Sequence, residues 1–311
     1  MFTTVFLIAT AGLVYELVAG AVASYVLGDS VTQFSLVIGL YLSALGLGAY
    51  ASRYLERDVG LRFVDIELAT ALIGGVSAPL LLFAFARGGG SFHLVLWGTV
   101  LTTGTLVGLE LPLLMRLLRD QVAFKDLIAT ALLFDYLGAL VASVLFALVL
   151  VPSVGLVRTS LLAGLLNALV GLGSTWLLES ETPGALRRAR WRAGAVALVL
   201  LGLLSQAERL THAAEVALYA DPVLYARQSA YQRIVVTQGR AGIALHLNNN
   251  LQFAAADEHR YHEALVHPVM AAAAPSTHRV FIAGGGDGLA AREVLRYPDV
   301  ERVLLVDLDP A

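Results

Sequence analysis

The sequence predicts three parts in series: an α-helical multi-span membrane bundle, a small antiparallel β unit, and the opening of a doubly wound α/β domain. Three observations predict them. The chain is 58% hydrophobic and only 14% charged, with a mean hydropathy of +0.74, whereas a soluble chain carries about 25% charged residues. Apolar runs of membrane-spanning length recur as far as residue 207. Beyond about residue 225 the period shortens to strand-like alternation, and residues 279–311 read strand, glycine turn, helix, strand. The expected domains are therefore 1–207 in the membrane, 208–278 as a β-hairpin and helix part, and 279–311 as the first βαβ unit of the α/β domain, left incomplete.

Six spans are expected at 2–27, 31–52, 61–86, 93–118, 127–151 and 154–178, with a shorter seventh at 191–207 near the lower limit of spanning length. The first lacks a basic leading region and exceeds the apolar core of a signal peptide, so it is read as a retained span. Arginine and lysine collect in alternate loops (Arg53, Arg57, Arg62; Arg116, Arg119, Lys125; Arg187, Arg188, Arg190, Arg192), which puts those loops and the N-terminus in the cytoplasm. The location that follows is a multi-pass protein of the cell membrane, with lipid as its first partner. Seven spans would leave the following domain outside the cell. Six spans plus an interfacial helix at 191–207 would leave it inside.

Four carboxylates fall within the spans: Glu16, Glu67, Glu110 and Asp135. Each costs roughly 2.5–3.5 kcal/mol at a helix centre on insertion scales, so such residues face a bundle interior. Small residues accompany them at helical spacing: Gly12 and Gly20 beside Glu16, Ala71 and Gly74 beyond Glu67, Gly138 and Ala142 beyond Asp135. No Lys or Arg lies at comparable depth. The acids are either protonated and hydrogen-bonded to Tyr15, Tyr136 or backbone released by Pro112, or they line a path or site for a polyamine. Net charge is −3, which leaves no electrostatic footprint for nucleic acid. The absence of cysteine excludes disulfides, thiolate nucleophiles and Cys-based metal sites.

After a basic linker at 178–192, residues 207–216 read as a helix leading into the second half. Residues 231–237 and 243–247 alternate as strands, with Gly239 and Gly242 between them as a hairpin signal. Asn248, Asn249 and Asn250 form a turn that tolerates positive φ and lead into Leu251, Gln252 and Phe253. Asp257 suits the N-cap of a helix from Glu258 to about Val266, with Pro268 near its end.

The apolar run 280–283 breaks into Gly284-Gly285-Gly286-Asp287-Gly288, then a helix over about 289–297 stopped by Pro298, then a second run at 303–306 ending in Asp307. The pattern lacks Gly-x-Gly-x-x-Gly and holds a carboxylate, Asp287, where a dinucleotide pyrophosphate would be repelled. A ligand carrying an amine suits it, which points to a Rossmann-like site of the S-adenosylmethionine type with Asp307 on the ribose diol. Such a turn also occurs for packing alone. Asp287 as a turn-former, Gln232 as an exposed strand residue and His262 as a helix-surface histidine remain alternatives. His259, His262 and His267 lack the acids or cysteines of a zinc set, so no metal is expected.

The glycine turn, with Arg292-Glu293-Val294 and Val306-Asp307-Leu308-Asp309, resembles the start of the catalytic domain of spermidine synthases, the polyamine aminopropyltransferases. Residues 231–236, 247–252 and 257–263 resemble that family's upstream motifs in order and spacing, and the apolar half resembles its membrane-anchored bacterial members. The resemblance covers roughly 225–311. It implies aminopropyl transfer from decarboxylated S-adenosylmethionine to putrescine, giving spermidine and methylthioadenosine, with no other cofactor. It implies that Asp287 binds the aminopropyl amine, that Asp307 holds the ribose in place of the family's glutamate, and that Gln232 contacts the nucleoside. It also implies that His262 contacts the polyamine, with Tyr261 and Gln252 lining the pocket and Gly284, Gly285, Gly286 and Gly288 shaping the turn. Association into oligomers is a further implication. The family's adenine-binding and catalytic aspartates are expected beyond Ala311, so this chain is expected to be a front part, inactive alone. Two rivals stand beside this reading: an S-adenosylmethionine-dependent methyltransferase, and a polyamine transporter or sensor using the intramembrane acids.

Overall fold

The computed structural model describes residues 2–87, 91–119, 123–180, 182, 184–229, 231–273 and 278–310. It divides into two compact units, Met1–Leu218 and Tyr219–Ala311; Ala311 itself lies outside the described residues.

The first unit is helical. Its elements are α1 (Phe2–Leu27), α2 (Ser30–Ala51), α3 (Val59–Gly75), α4 (Ser77–Ala86), α5 (Phe92–Leu118), α6 (Phe124–Leu145), α7 (Val151–Leu177), α8 (Ala185–Ser205) and α9 (Ala207–Leu218). Among the described residues, five stretches can cross a membrane by length and composition, or six if the pair α8 and α9, bent by 60°, counts as one. One of the five, Lys125–Leu177, has 53 residues, which as a straight helix would reach about 80 Å, more than twice a hydrocarbon core. It is not straight. A π-helical turn at Phe146–Leu150 and non-helical torsions at Gly155 (φ 79°, ψ 170°) separate α6 from α7.

Two boundaries differ from the sequence expectation. The span expected at 61–86 is broken at Val76 (φ −90°, ψ 3°), where two helices meet at the end of Gly74-Gly75. The helix expected to lead into the second half, α9, instead packs on α4 and α7, so the unit boundary falls after Leu218 rather than after Ala207.

α1 is the central post, buried along Ala11, Val14, Tyr15, Val18, Ala19, Val22 and Ala23. Glycines set how closely the other helices approach. A Cβ on Gly108 would lie 2.2 Å from the Leu45 carbonyl oxygen, and one on Gly48 would lie 2.1 Å from that of Thr105, so α2 and α5 touch backbone to backbone. On α7, a Cβ on Gly164 would lie 2.6 Å from the Ala71 carbonyl oxygen of α3, and one on Gly171 would lie 3.1 Å from the Glu67 side-chain Cβ. Glu16, Glu67 and Glu110 are buried, as expected of carboxylates within these helices. Asp135 is only half-buried, because α6 packs mainly on α1 and leaves its other faces open. Tyr136, offered as a hydrogen-bond partner for the acids, is 68% exposed and faces away from them.

The second unit opens with an antiparallel meander, β1 (Val223–Gln228), β2 (Arg233–Gly239), β3 (Gly242–Leu247) and β4 (Asn250–Ala254), in the order β1-β2-β3-β4. The turn residues behave as their chemistry requires: Asn248 (φ 49°) and Asn249 (φ 67°) are left-handed, and Gly242 sits at φ 110°. β1 was not anticipated, since Val-Leu-Tyr-Ala-Arg-Gln lacks clean alternation; it is recruited by pairing with β2, Ala226 opposite Val235.

α10 (Glu258–Ala273) follows, then β5 (Arg279–Ala283), α11 (Leu289–Val294) and β6 (Arg302–Val306), with β5 and β6 parallel and Phe281 opposite Leu304. α10 runs through Pro268 rather than stopping near it. The apolar face Val266 and Met270 packs on Ala290 and Val294, with Val280, Ile282 and Val303 against them, and this burial outweighs the one backbone bond that proline removes. α10 therefore shares a core with the parallel pair rather than forming a separate part with the meander.

Candidate functional site

The glycine turn between β5 and α11 is where the second unit concentrates its polar side chains. Gly284 (φ 84°), Gly285 (φ 73°) and Gly288 (φ 76°) take torsions that L side chains rarely adopt, and the Gly284 N–H donates to Val306 O at 2.8 Å. Gly286 is needed for space: a Cβ there would lie 3.0 Å from Cγ and Oδ2 of Asp307. The Asp307 carboxylate closes the turn, Oδ2 accepting the Gly286 N–H (2.8 Å) and Oδ1 accepting the Asp309 N–H (3.0 Å). Those backbone donors, the Asp309 N–H first and then that of Gly286, hold its pKa below the usual aspartate range. Asp287 spends one oxygen on the fold, Oδ1 accepting the Leu289 N–H at 2.9 Å. Its other oxygen makes no hydrogen bond among the described residues, and the side chain is exposed.

Two hydrogen-bond chains reach this turn. In the first, Gln232 Nε2 (3.1 Å) and Ser229 Oγ (2.5 Å) both donate to Asp309 Oδ2, and the Asp309 backbone in turn donates to Asp307. Gln232, at the loop before β2, is thereby tied to the end of β6. In the second, buried His262 lies 2.9 Å from Glu258 Oε2 through its Nδ1. Glu258 receives both arms of Arg292, at 2.9 and 3.1 Å, and the Arg292 N–H donates to Gly288 O at 2.9 Å. The Arg292 fork, then His262, keeps the pKa of the Glu258 carboxyl below its ordinary value.

Hydrogen bonds thus link Gln232 through Asp309 to Asp307, and His262 through Glu258 to Arg292 on α11, the helix that follows Asp287. Neither link includes Tyr261, which is 63% exposed and meets the His262 ring edge-on at 5.1 Å. Gln252 is also exposed, on β4. Three residues that sequence reasoning left without a role are central here: Asp309, Glu258 and Arg292. All three lie within the recognised motifs, but only the fold shows which side chains they hold.

Glu263, His267 and Glu293 bring ligand-type atoms within 4.8 Å of one another. Guanidinium groups already occupy their cationic side. Arg292 and Arg296 each lie 2.8 Å from Glu293, and Arg296 lies 3.6 Å from Glu263. The cluster is an ion-pair network rather than a metal cage.

The domain description "Spermine/spermidine synthase domain" matches residues 258–311. The whole chain is similar to proteins named polyamine aminopropyltransferase. One from Ralstonia nicotianae is 51% identical across 98% of this chain and 61% of its own length. One from Leptospira interrogans is 44% identical across 100% and 62%, and one from Mycobacterium tuberculosis is 40% identical across 97% and 59%. The chain thus spans about three fifths of the length of these relatives. Among solved structures it is similar to a spermidine synthase from Thermotoga maritima, 37% identical over 28% of this chain and 31% of that one, with a TM-score of 0.27.

Proposed function

We propose that the protein is a membrane-anchored polyamine aminopropyltransferase that moves an aminopropyl group from decarboxylated S-adenosylmethionine to putrescine, releasing spermidine and methylthioadenosine. The observation that carries this reading is the Asp307-closed glycine turn with one Asp287 oxygen left open. It offers a fixed acceptor for a ribose diol and a separate anion for an alkylammonium. The similarity to named aminopropyltransferases across both units supports it.

In the reaction a neutral amine attacks the carbon next to a sulfonium. The new C–N bond forms as the C–S bond breaks, the electron pair goes to sulfur, and the attacking nitrogen loses a proton. The site must hold two cationic molecules in line, so carboxylates and positioning supply much of the rate. Asp287 holds the aminopropyl ammonium. Asp307, kept ionised by the turn, takes the ribose hydroxyls. Gln232, oriented by Asp309, faces the nucleoside, and His262, oriented by Glu258, faces the acceptor amine.

The bilayer is the proposed surroundings of the first unit. Leu36, Leu42 and Leu47 on α2, and Leu133, Leu140 and Leu148 on α6 and the turn after it, are all exposed, a surface that lipid would cover. A multi-pass place in the cell membrane follows. It is checked by whether the protein stays with membranes after an alkaline carbonate wash.

The activity is tested on the full-length protein in detergent, by calorimetric titration with decarboxylated S-adenosylmethionine and with S-adenosylmethionine. Preference for the decarboxylated nucleoside by tenfold or more, about 1.4 kcal/mol, is expected, because the extra carboxylate would sit against Asp287. Equal or reversed preference overturns the reading in favour of methyl transfer.

A further inference from the structure

At the centre of the helical unit four helices bring together polar side chains that are shut off from solvent. Tyr15 comes from α1, Glu67 and Thr70 from α3, Glu110 from α5 and Asn167 from α7; Tyr15 is 2% exposed and the others 0%. Thr70 Oγ1 lies 2.8 Å from Glu110 Oε1. Tyr15 interacts electrostatically with both carboxylates, and these interact with each other. Asn167 belongs to the same seam. It stands on the α7 face between Gly164, which abuts Ala71 and Gly75, and Gly171, which abuts Glu67, and that places it against α3 one turn from the Glu67 contact.

Six buried atoms in this cluster have no hydrogen-bond partner: Tyr15 Oη, both Glu67 oxygens, Glu110 Oε2, and Oδ1 and Nδ2 of Asn167. Orphans of this kind are rare in native proteins and call for an explanation. No hydrogen bond joins Glu67 to Glu110, whose one partner here is Thr70. Asn167 does not donate to Glu67 although their helices touch. Among the described residues neither acid makes an ion pair with Lys, Arg or His. Five of the six atoms are oxygens. Acceptors that adjoin without bonding one another are satisfied together by a cationic body seated among them, and burial makes an unmatched carboxylate there costly.

We propose that Glu67, Glu110, Asn167 and Tyr15 form a binding site for a desolvated monovalent cation, either an alkali ion or a primary ammonium group. Five oxygens from four side chains suit a single positive charge. A divalent ion would demand both carboxylates and six or more oxygens at short range. The Asn167 amide nitrogen is left to donate to whichever carboxylate stays ionised. Such a site goes beyond transfer chemistry in the second unit and does not depend on it.

The test is the thermal stability of the full-length protein in detergent, near neutral pH and at constant ionic strength, in choline chloride, sodium chloride, methylammonium chloride and putrescine dihydrochloride. Choline, too large for the cluster, is the reference. Sodium or the amines should raise Tm by roughly 3–5 °C at about hundredfold excess over Kd, and Glu67→Gln should remove the rise. Should Glu67→Gln fail to fold, Tyr15→Phe deletes one oxygen at constant volume and should shift the half-maximal cation concentration upward several-fold. A rise with sodium alone assigns an alkali site. A rise with methylammonium or putrescine assigns an ammonium site. Equal Tm in all four salts, or a cation-dependent rise unchanged in both variants, overturns the proposal and makes the acids structural.

Discussion

Removing the Asp309 carboxylate should loosen the nucleoside site through Gln232, not through direct contact with ligand. Asp309 Oδ2 accepts from Ser229 Oγ at 2.5 Å and from Gln232 Nε2 at 3.1 Å. Hydrogen bonds to an ionised group are worth about 1.5–3 kcal/mol each when buried. Asp309 is half-exposed, so solvent screening lowers the pair to about 1–2 kcal/mol in total. In Asp309→Ala the Gln232 amide loses its fixed orientation, and the ordering then falls on the ligand at about 0.5–1.5 kcal/mol. Methylthioadenosine should bind about 3–10-fold more weakly. The assay is calorimetric titration of the full-length protein in detergent, run as a double-mutant cycle with Gln232→Ala. If Asp309 acts by holding Gln232, the double variant should bind about as weakly as Gln232→Ala alone, with a coupling of about 1 kcal/mol. Additive losses, or unchanged affinity in Asp309→Ala, would refute the reasoning.

Three further outcomes are expected. Gly286→Ala should weaken nucleoside binding more than tenfold while leaving the fold intact. Its methyl would meet the Asp307 carboxylate at 3.0 Å and displace the group proposed to hold the ribose, whereas Gly39→Ala, with nothing within 4 Å, should leave binding unchanged. Acid should open the Glu258–Arg292 link in a defined direction. Because the folded Glu258 is more acidic than its unfolded form, its contribution is complete above the ordinary glutamate value of about 4.3 and fades as pH falls below it. Arg292→Met, which removes the main cause of the shift, should move the loss of His262 ordering to higher pH, read by histidine NMR. Gly108→Val should drive α2 off α5, since even one carbon at that position lies 2.2 Å from the Leu45 carbonyl. The detergent-solubilised protein should then elute as aggregate in size-exclusion chromatography.

Periodicity and punctuation determined much of this protein without coordinates. The apolar runs of the first half marked its helices because length and hydropathy are properties of local sequence. The meander turn at Asn248-Asn249 and the strand–glycine–helix–strand unit were legible because left-handed torsions and glycine spacing are chemical requirements of short stretches. The resemblance that singled out Asp287, Asp307, Gln232 and His262 rested on motifs of the same kind. Tertiary structure decided what depends on partners distant in the chain. α10 continues through Pro268 because Val266 and Met270 find a core on Ala290 and Val294, and no local rule contains that burial. α9 joins the helical unit because it finds α4 and α7. Asp309 matters because a loop some 77 residues earlier places Gln232 against it. The acids of the first half were visible as four separate anomalies. Only helix packing sorts them: glycine contacts press α7 onto α3 and seat Glu67, Glu110, Tyr15 and Asn167 together, while Asp135 is left half-open on α6. Spacing along one helix gives the face a residue lies on, but which other helix covers that face is settled by the fold.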